Sequence, residues 1–232
     1  MPIRTFNDNT FVAFIDICGF KEMMRQEQRA VNNLCKFYND SYHIIKHQNR
    51  KSCKVNGIFV SDCGILFVRQ GRNHIIQLEA LLKIIKEIIN RMIEIDIMLT
   101  ISIAYGPFLY EDRIELMGMR KSFLMGNAYV WAYFDNEDGL PKIQPGQCRI
   151  LSKNLPHEIK VEIENGHNNN FKMIRKGIID TEHYYYYWML QNPHEIDKFE
   201  KEYNFAYNSH FSAILNVLKR KPNLRQNFDD NL

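Results

Sequence analysis

Apolar residues in the first half of the chain follow two spacings, which alternate along the sequence and predict strands and helices in turn. Residues 11–18 form a short apolar run that is typical of a buried strand, and Gly19 provides the turn that ends it. Between Lys21 and about His47 the apolar positions recur at near-helical spacing, and they do so again from His74 to about Ile95. The later segment contains neither Gly nor Pro, so its pattern predicts a long, regular helix.

Between and after these helices, the pattern predicts further strands. Residues 54–69 are typical of two short strands, and we place the hairpin turn at Asn56-Gly57, because this dipeptide readily adopts positive φ angles. Residues 97–109 alternate like a strand until Gly106-Pro107 interrupts them, and Phe123–Asp135 then runs on as a helix. The predicted order is βαββαβ followed by a helix.

The pattern after Pro141 is weaker. Strands are predicted near residue 148 and over residues 171–180, whereas residues 181–190 fit a helix or a strand equally well. From about Pro193 to Arg220 the pattern is helical, and the final residues are expected to fray. We therefore predict an α+β fold, with one domain over residues 1–190 and a helical C-terminal extension over residues 191–232 that packs on it.

Two of the predicted strands contain a carboxylate where an apolar residue is expected. Asp16 interrupts the run F-V-A-F-I-D-I-C-G-F-K, and Asp62 interrupts the run V-N-G-I-F-V-S-D-C-G-I-L-F-V. A charged side chain inside a buried strand is strongly disfavoured unless it is paired or bound to a metal. One explanation covers both positions: a cation held between two adjacent strands. The alternative for either aspartate alone is that it caps a turn or pairs with a basic residue.

The composition restricts the function only broadly. The 232 residues, 45% of them hydrophobic, are enough for one good core. Because 30 basic and 27 acidic residues are spread along the chain, the net charge of +3 does not predict a nucleic-acid partner. The five cysteines show neither a disulfide framework nor a zinc spacing. With no signal region and no apolar run of roughly 20 residues, we expect a cytoplasmic protein without a membrane partner.

Two carboxylates at one sheet edge favour phosphoryl or nucleotidyl transfer. At a separation of about 4 Å their charges repel by roughly 4 kcal/mol at an effective dielectric constant of 20, and divalent cations remove that cost. Magnesium binds through one or two protein carboxylates together with the phosphates of a substrate. The peptide N–H groups from Ile17 to Lys21, at the start of the first helix, would form a cradle for those phosphates.

At this point the chain resembles the class III nucleotidyl cyclases. Residues 14–20, F-I-D-I-C-G-F, match the first metal motif of that family, and S-D-C-G-I-L-F matches the hairpin that carries its second aspartate. The segments I-S-I-A-Y-G-P and G-N-A-Y-V-W-A-Y are similar to a later strand and helix, so the resemblance covers roughly residues 11–190. It implies a ferredoxin-like βαββαβ catalytic domain with two Mg²⁺ or Mn²⁺ ions per active site, held by Asp16, Ile17 and Asp62.

The chain departs from the family at four positions. Members that use purines read the base with a lysine and an aspartate, at positions that hold Ile58 and Phe123 here. The asparagine and arginine that steady the sugar and the transition-state phosphate would fall at Val130 and Phe134. Neither of these side chains can do that work.

One branch of the family departs in the same direction: the bacterial pyrimidine cyclases of the Pycsar antiphage systems. The opening from Phe14 to Lys21, the pair Ser61-Asp62 and the spacing of Gly126, Ala128 and Ala132 resemble that branch. The resemblance implies CTP or UTP as substrate, a homodimer with active sites at its interface, and a separate effector that senses the cyclic product.

The site residues follow from the motifs and the resemblance together. We expect Asp16, Asp62 and Arg120 to be catalytic, Arg120 being chosen from four basic candidates that also include Lys21, Arg113 and Lys121. The expected nucleotide-binding residues are Ile17, Cys18, Gly19, Phe20, Lys21, Ile58, Phe59 and Phe123. Three alternatives stay open: a degenerate cyclase that only binds nucleotide, an adenylate cyclase with an unusual base pocket, and a partner-binding domain that shares the fold.

Overall fold

The computed structural model of the chain describes residues 4–49, 53–116, 119–166, 168–169 and 171–219, without the side chains of residues 112–122. The strands are β1 (Phe6–Ile17), β2 (Lys54–Val60), β3 (Cys63–Gln70), β4 (Leu99–Leu116), β5 (Met119–Met125), β6 (Cys148–Leu151), β7 (Ile174–Lys176) and β8 (His183–Tyr186). The helices are α1 (Phe20–Met23), α2 (Glu27–Gln48), α3 (His74–Glu94), α4 (Asn127–Asp138), α5 (His157–Asn165), α6 (Ile196–Tyr207) and α7 (Phe211–Leu218), with a 3-10 turn at Pro193–Glu195.

The strands form one sheet in the order β2-β3-β1-β4-β6-β8-β7, with β5 paired to β4. Strand β1 lies between β3 and β4 and is antiparallel to both, whereas β4 and β6 are parallel. The first four strands and the helices between them therefore have the ferredoxin-like βαββαβ arrangement. The predicted α+β fold is confirmed.

Side chains of β1 alternate between two apolar layers, as the period of two in a strand requires. Phe11 and Ile15 belong to the larger core, to which α2 and α3 contribute, whereas Val12 and Phe14 belong to a smaller core beneath α4. Helix α3 alone buries nine residues, each worth about 1.5–3 kcal/mol. By this alternation Asp16 lies on the α4 face of the sheet.

The hairpin turn lies five residues later than the sequence predicts. Strands β2 and β3 meet at Ser61-Asp62, and Ser61 has a φ of 54°. Asn56-Gly57 lies instead inside β2, where a Cβ on Gly57 would lie 2.8 Å from Cδ1 of Ile45. The glycine is therefore needed for close packing against α2 and not for a turn.

The second half of the chain differs from its prediction in similar ways. Strand β4 continues through Gly106-Pro107, where both residues pair with β1, and the predicted helix at Phe123–Asp135 begins only at Asn127 because β5 precedes it. Strand β6 agrees with the strand predicted near residue 148. The segment 181–190, which fitted a helix or a strand equally well, contains strand β8. Helix α5 was not predicted.

The C-terminal helices pack against the main core. Tyr203 of α6 and Leu215 of α7 belong to the same buried cluster as Ile15 and Ile150 of the sheet. The single long helix that was predicted here is divided into the 3-10 turn, α6 and α7. Its predicted end at Arg220 and the expected frayed residues after it lie outside the described part of the chain, and the domain boundary at residue 190 stays a prediction.

Candidate metal and nucleotide site

Strand β1 and the β2–β3 hairpin bring Asp16 and Asp62 together at one edge of the sheet. Asp16 is the last residue but one of β1, and the N–H of Ile17 donates to the main-chain carbonyl of Asp62 at 3.2 Å. The turn itself is held from α2, since the Tyr38 hydroxyl donates to the carbonyl of Ser61 at 2.8 Å. One ligand atom each from Asp16, Asp62 and Cys63 lies within 4.8 Å of the other two.

The electrostatics of this cluster favour a bound cation. Burial, followed by the charge of Asp62, raises the pKa of Asp16 to about 6, and Glu137 of α4 acts in the same direction. A hydrogen bond from the Cys63 thiol to Oδ1 of Asp16, 3.5 Å long, opposes this increase. Among the described side chains, the charged groups that act on Asp16 are thus acidic. A divalent cation between the two carboxylates would relieve their repulsion.

The donor set fits the metal that the sequence predicts. Asp16 and Asp62 are half-buried and offer hard oxygen ligands, which Mg²⁺ and Mn²⁺ prefer. The side chain of Ile17 is buried in the core beneath α2 and α3, so this residue could contribute only main-chain atoms to a metal. Cys63 was not predicted at the site, although it follows Asp62 directly in the sequence.

The phosphate cradle is smaller than the sequence predicts. The N–H of Ile17 is bonded to Asp62, and the N–H of Cys18 donates to the carbonyl of Met98 at 2.9 Å, so neither is free. The N–H groups of Gly19, Phe20 and Lys21 have no hydrogen-bond acceptor among the described residues. Three donors, not five, are available beside the two carboxylates.

The candidates for the base pocket divide between the two faces of the sheet. Ile58 packs with the cluster beneath α4, on the same face as Asp16, and Phe123 is 43% exposed. The Phe59 ring lies instead on the opposite face, where its centroid is 5.2 Å from that of Phe37 in α2. In contrast to the sequence prediction, Phe59 therefore does not face Asp16, because adjacent residues of a strand point to opposite sides.

Helix α4 covers the face of the sheet that carries Asp16. The Tyr133 ring packs edge-on against Phe14, with centroids 5.2 Å apart. Val130 and Phe134, which the predicted resemblance aligns with an asparagine and an arginine, are 38% and 55% exposed. The side chain of Arg120, like those of Arg113 and Lys121, lies outside the described residues, so its predicted catalytic role stays a prediction.

A buried ion network fixes the C-terminal half of α4. Arg149 of β6 is fully buried and donates to both carboxylate oxygens of Asp135 at 2.8 Å. Nε2 of His183 lies 2.8 Å from Oδ1 of Asp135, and Nδ1 lies 2.7 Å from Oδ2 of Asp180. Although burial acts to raise it, the His183 bond and the Arg149 charge hold the pKa of Asp135 below its ordinary value. This network was not predicted, and its visible sign in the sequence is an arginine in the apolar run C-R-I-L.

The described part of the chain contains no helix that is both long enough and apolar enough to cross a membrane. No protein-family model and no curated protein matches the sequence.

Solved structures nevertheless share the fold. The guanylyl cyclase domain of the RhoGC fusion protein from Blastocladiella emersonii, in its monomeric form, has a TM-score of 0.57 at 14% identity, over 80% of this chain and 98% of that one. The adenylyl cyclase CyaB from P. aeruginosa has a TM-score of 0.54 at 15% identity, over 79% and 95% of the two chains. The catalytic core of a rhodopsin-guanylyl cyclase in complex with ATPalphaS has a TM-score of 0.56 at 13% identity, over 80% and 98%. The chain therefore has the fold of class III cyclase catalytic domains.

Proposed function

We propose that this protein is a nucleotidyl cyclase, which converts a nucleoside triphosphate to its 3′,5′-cyclic monophosphate and pyrophosphate. The observation that carries the proposal is the meeting of Asp16 and Asp62 on this fold. Their ligand atoms lie within 4.8 Å of each other, and the pKa of Asp16 is raised to about 6 by burial and by the neighbouring charge. Such a pair is costly without a cation and useful with one.

In the reaction, the ribose 3′ oxygen bonds to the α-phosphorus, the bond from that phosphorus to the bridging oxygen of pyrophosphate breaks, and the 3′ hydroxyl proton is released. Two bound Mg²⁺ or Mn²⁺ ions would acidify the hydroxyl and neutralise the leaving pyrophosphate. Asp16 and Asp62 would hold these ions, and the free N–H groups of Gly19, Phe20 and Lys21 would donate to phosphate oxygens. Positioning and charge stabilisation supply most of the rate in such a reaction.

The proposed substrate is CTP or UTP. At the positions where purine-using relatives carry a lysine and an aspartate, this chain presents the apolar side chains of Ile58 and Phe123. These side chains cannot form the hydrogen bonds that read a purine edge. By the same resemblance, we propose a role as the signal producer of a bacterial antiphage system, acting in the cytoplasm with a separate effector that senses the cyclic product.

The proposed assembly is a homodimer that encloses two active sites. Two apolar side chains of α4, the helix that covers the face of the sheet carrying Asp16, are exposed: Val130 by 38% and Phe134 by 55%. A second copy of the chain would cover this surface, called here the α4 surface, and could supply the basic group that the described part of one chain does not place beside Asp16.

A four-nucleotide assay tests the proposed activity. Purified protein is incubated with Mn²⁺ and an equimolar mixture of ATP, GTP, CTP and UTP, and the products are separated by chromatography and identified by mass spectrometry. We expect cyclic CMP or cyclic UMP with an equal amount of pyrophosphate, and loss of both products in Asp16→Asn. Preferential consumption of ATP would instead establish the adenylate cyclase reading, and product formation in Asp16→Asn would contradict two-carboxylate catalysis.

A second candidate function is nucleotide binding without turnover. It is favoured by the exposed, apolar side chains of Val130 and Phe134, which cannot replace the asparagine and arginine of active relatives. This reading predicts that nucleotide and Mn²⁺ raise the melting temperature while neither cyclic product nor pyrophosphate forms. The same protein sample serves both measurements, so the two candidate functions are separated directly.

A further inference from the structure

A cavity of about 380 Å³ lies between the β7–β8 hairpin and α6, and neither Asp16 nor Asp62 lines it. Its volume is within the usual range of small-molecule sites, roughly 300–1,000 Å³. Five aromatic residues contribute to its walls: Tyr185, Tyr186, Tyr187, Phe199 and Tyr203. The cavity is therefore separate from the proposed metal site, and five of its fifteen lining residues carry aromatic rings.

Two carboxylates line the same cavity. Asp180 accepts hydrogen bonds from the Tyr185 hydroxyl at 2.7 Å and from the N–H of Glu182 at 3.1 Å. Glu200 accepts a hydrogen bond from the Tyr187 hydroxyl through Oε1, and Oε2 has no hydrogen-bond partner among the described residues. Since a carboxylate can accept about four hydrogen bonds, Glu200 retains capacity for a donor in the cavity.

The charged side chains that line the cavity are both negative. Its described lining contains no Lys, Arg or His. The guanidinium groups close behind the lining are already paired, Arg149 with Asp135 and Arg175 with Asp197. Asp180 and Glu200 are thus the charged side chains of the lining itself, and Arg175 interacts first with Asp197 and more weakly with Glu200. Phosphate-bearing ligands, including the proposed substrate and product, would be repelled here.

We infer that this cavity binds a small organic cation of the substituted ammonium class. Aromatic rings attract a cation through their negative faces, and a carboxylate on the wall adds direct charge attraction. Ile178 and Ile179 at the rim are 73% and 98% exposed, and they offer apolar contact to the hydrocarbon part of such a ligand. A purely apolar ligand would leave the open oxygen of Glu200 without a partner and would be bound less well.

The structure supplies a fluorescent reporter for binding. Trp188 is buried, and its indole N–H donates at 2.8 Å to the carbonyl of Gly146, a residue of the cavity wall. The chain has two tryptophans, so the Trp131→Phe variant leaves Trp188 as the single emitter. Phenyltrimethylammonium is the probe, tert-butylbenzene is its neutral isostere, and benzenesulfonate is an anion of similar size.

We expect a saturable change in Trp188 emission with phenyltrimethylammonium, and binding at least about ten-fold tighter than that of tert-butylbenzene. In Glu200→Gln, which keeps an acceptor for Tyr187, the cation should bind about ten-fold more weakly, whereas the neutral probe is unaffected. The exposed Glu195→Gln variant is the matched control for a lost surface charge and should bind like the parent. Equal affinity for cation and isostere, tighter binding of the anion, or no binding at all would overturn the inference.

Asp16→Asn separates this inference from the proposed activity. If the cation bound at the carboxylate pair instead of in the cavity, this substitution would weaken binding and Glu200→Gln would not. We expect the reverse. Because no nucleotide or metal is present in the titration, a protein without cyclase activity would still give the expected result.

Discussion

Asp16 and Cys63 face each other across the ladder between β1 and β3, and the Cys63 thiol donates to Oδ1 of Asp16 at 3.5 Å. This hydrogen bond and one from the Ile17 N–H lower the pKa of Asp16, but burial and the Asp62 charge outweigh them and raise it to about 6. Without a metal, the repulsion between the Asp16 and Asp62 carboxylates therefore depends on the pH.

The first prediction concerns the pH dependence of stability without metal. Because the pKa of Asp16 rises from 3.8 to about 6 on folding, the folded state binds its proton more tightly than the unfolded state does. Stability from this group is complete below pH 4 and is lost as the pH rises through 6, by no more than about 3 kcal/mol. Urea denaturation in EDTA measures this loss. The loss of stability should be smaller in Asp62→Asn and unchanged in the control variant Asp40→Asn. Equal losses in the parent protein and in both variants would show that the Asp62 charge does not raise the pKa of Asp16.

The second prediction concerns metal binding. Since a metal must displace the proton of Asp16, stabilisation by Mn²⁺ should increase as the pH rises from 5 to 7. Thermal unfolding at a fixed Mn²⁺ concentration measures this increase. Asp16→Asn should remove it. A shift in melting temperature that is equal at pH 5 and pH 7 would show that the ion binds elsewhere.

The third prediction concerns thiol reactivity. Burial is the largest cause that raises the pKa of Cys18, Cys53 and Cys63, to about 12, 11 and 12, whereas Cys35 is exposed. Since the thiolate is the reactive form, iodoacetamide at pH 8 should label Cys35 first, at least about ten-fold faster than the others. Peptide mass spectrometry over time gives the order. Cys35→Ser should lack the fast phase, and early labelling at Cys63 would contradict the described burial.

The fourth prediction concerns the ion network beneath α4. Arg149→Met removes the guanidinium from Asp135 and should lower the free energy of unfolding by about 3–5 kcal/mol, because a buried carboxylate loses its main partner. Arg175→Met breaks an ion pair in which Asp197 is 74% exposed and should have a much smaller effect. Chemical denaturation compares the two variants, and similar losses would show that burial does not set the strength of the Asp135 pair.

The fifth prediction concerns the proposed homodimer. Phe134 of the α4 surface is 55% exposed, and Phe134→Asp should convert the dimer to a monomer and reduce cyclase turnover at least about ten-fold. Phe205→Asp alters a residue of α6 that is 78% exposed and should leave both properties unchanged. Light scattering after size-exclusion chromatography gives the mass. A dimer that survives Phe134→Asp would place the interface elsewhere.

The two carboxylates could be identified from the sequence, whereas the position of the hairpin turn beside them could not. A charged residue inside an apolar run is visible as a violation of burial rules, and both Asp16 and Asp62 were found in this way. The hairpin turn was misplaced because Gly57 serves packing, while the positive φ falls on Ser61, a residue type that does not favour it. Because the turn was misplaced, Asp62 was assigned to the second strand, whereas it lies in the turn itself, directly before Cys63 at the start of β3.

The residues that hold α4 could not be predicted because they come from distant parts of the chain. Asp135, Arg149 and His183 lie on α4, β6 and β8, and only the parallel pairing of β4 with β6 and the antiparallel pairing of β6 with β8 bring them together. No local spacing encodes such a contact. The grouping of Phe59 with Ile58 has a different cause, since adjacent residues of a strand point to opposite faces and the period of two already separates them.

The hydroxyl of Tyr38 reaches from α2 to the carbonyl of Ser61, immediately before the residue that carries the second carboxylate. Asp62 itself is bonded to β1 through the Ile17 N–H, so the turn is held from two sides, by the central strand and by a helix that spans 22 residues. The second carboxylate is therefore attached to two different layers of the fold, and removing the Tyr38 hydroxyl would leave β1 as its described support.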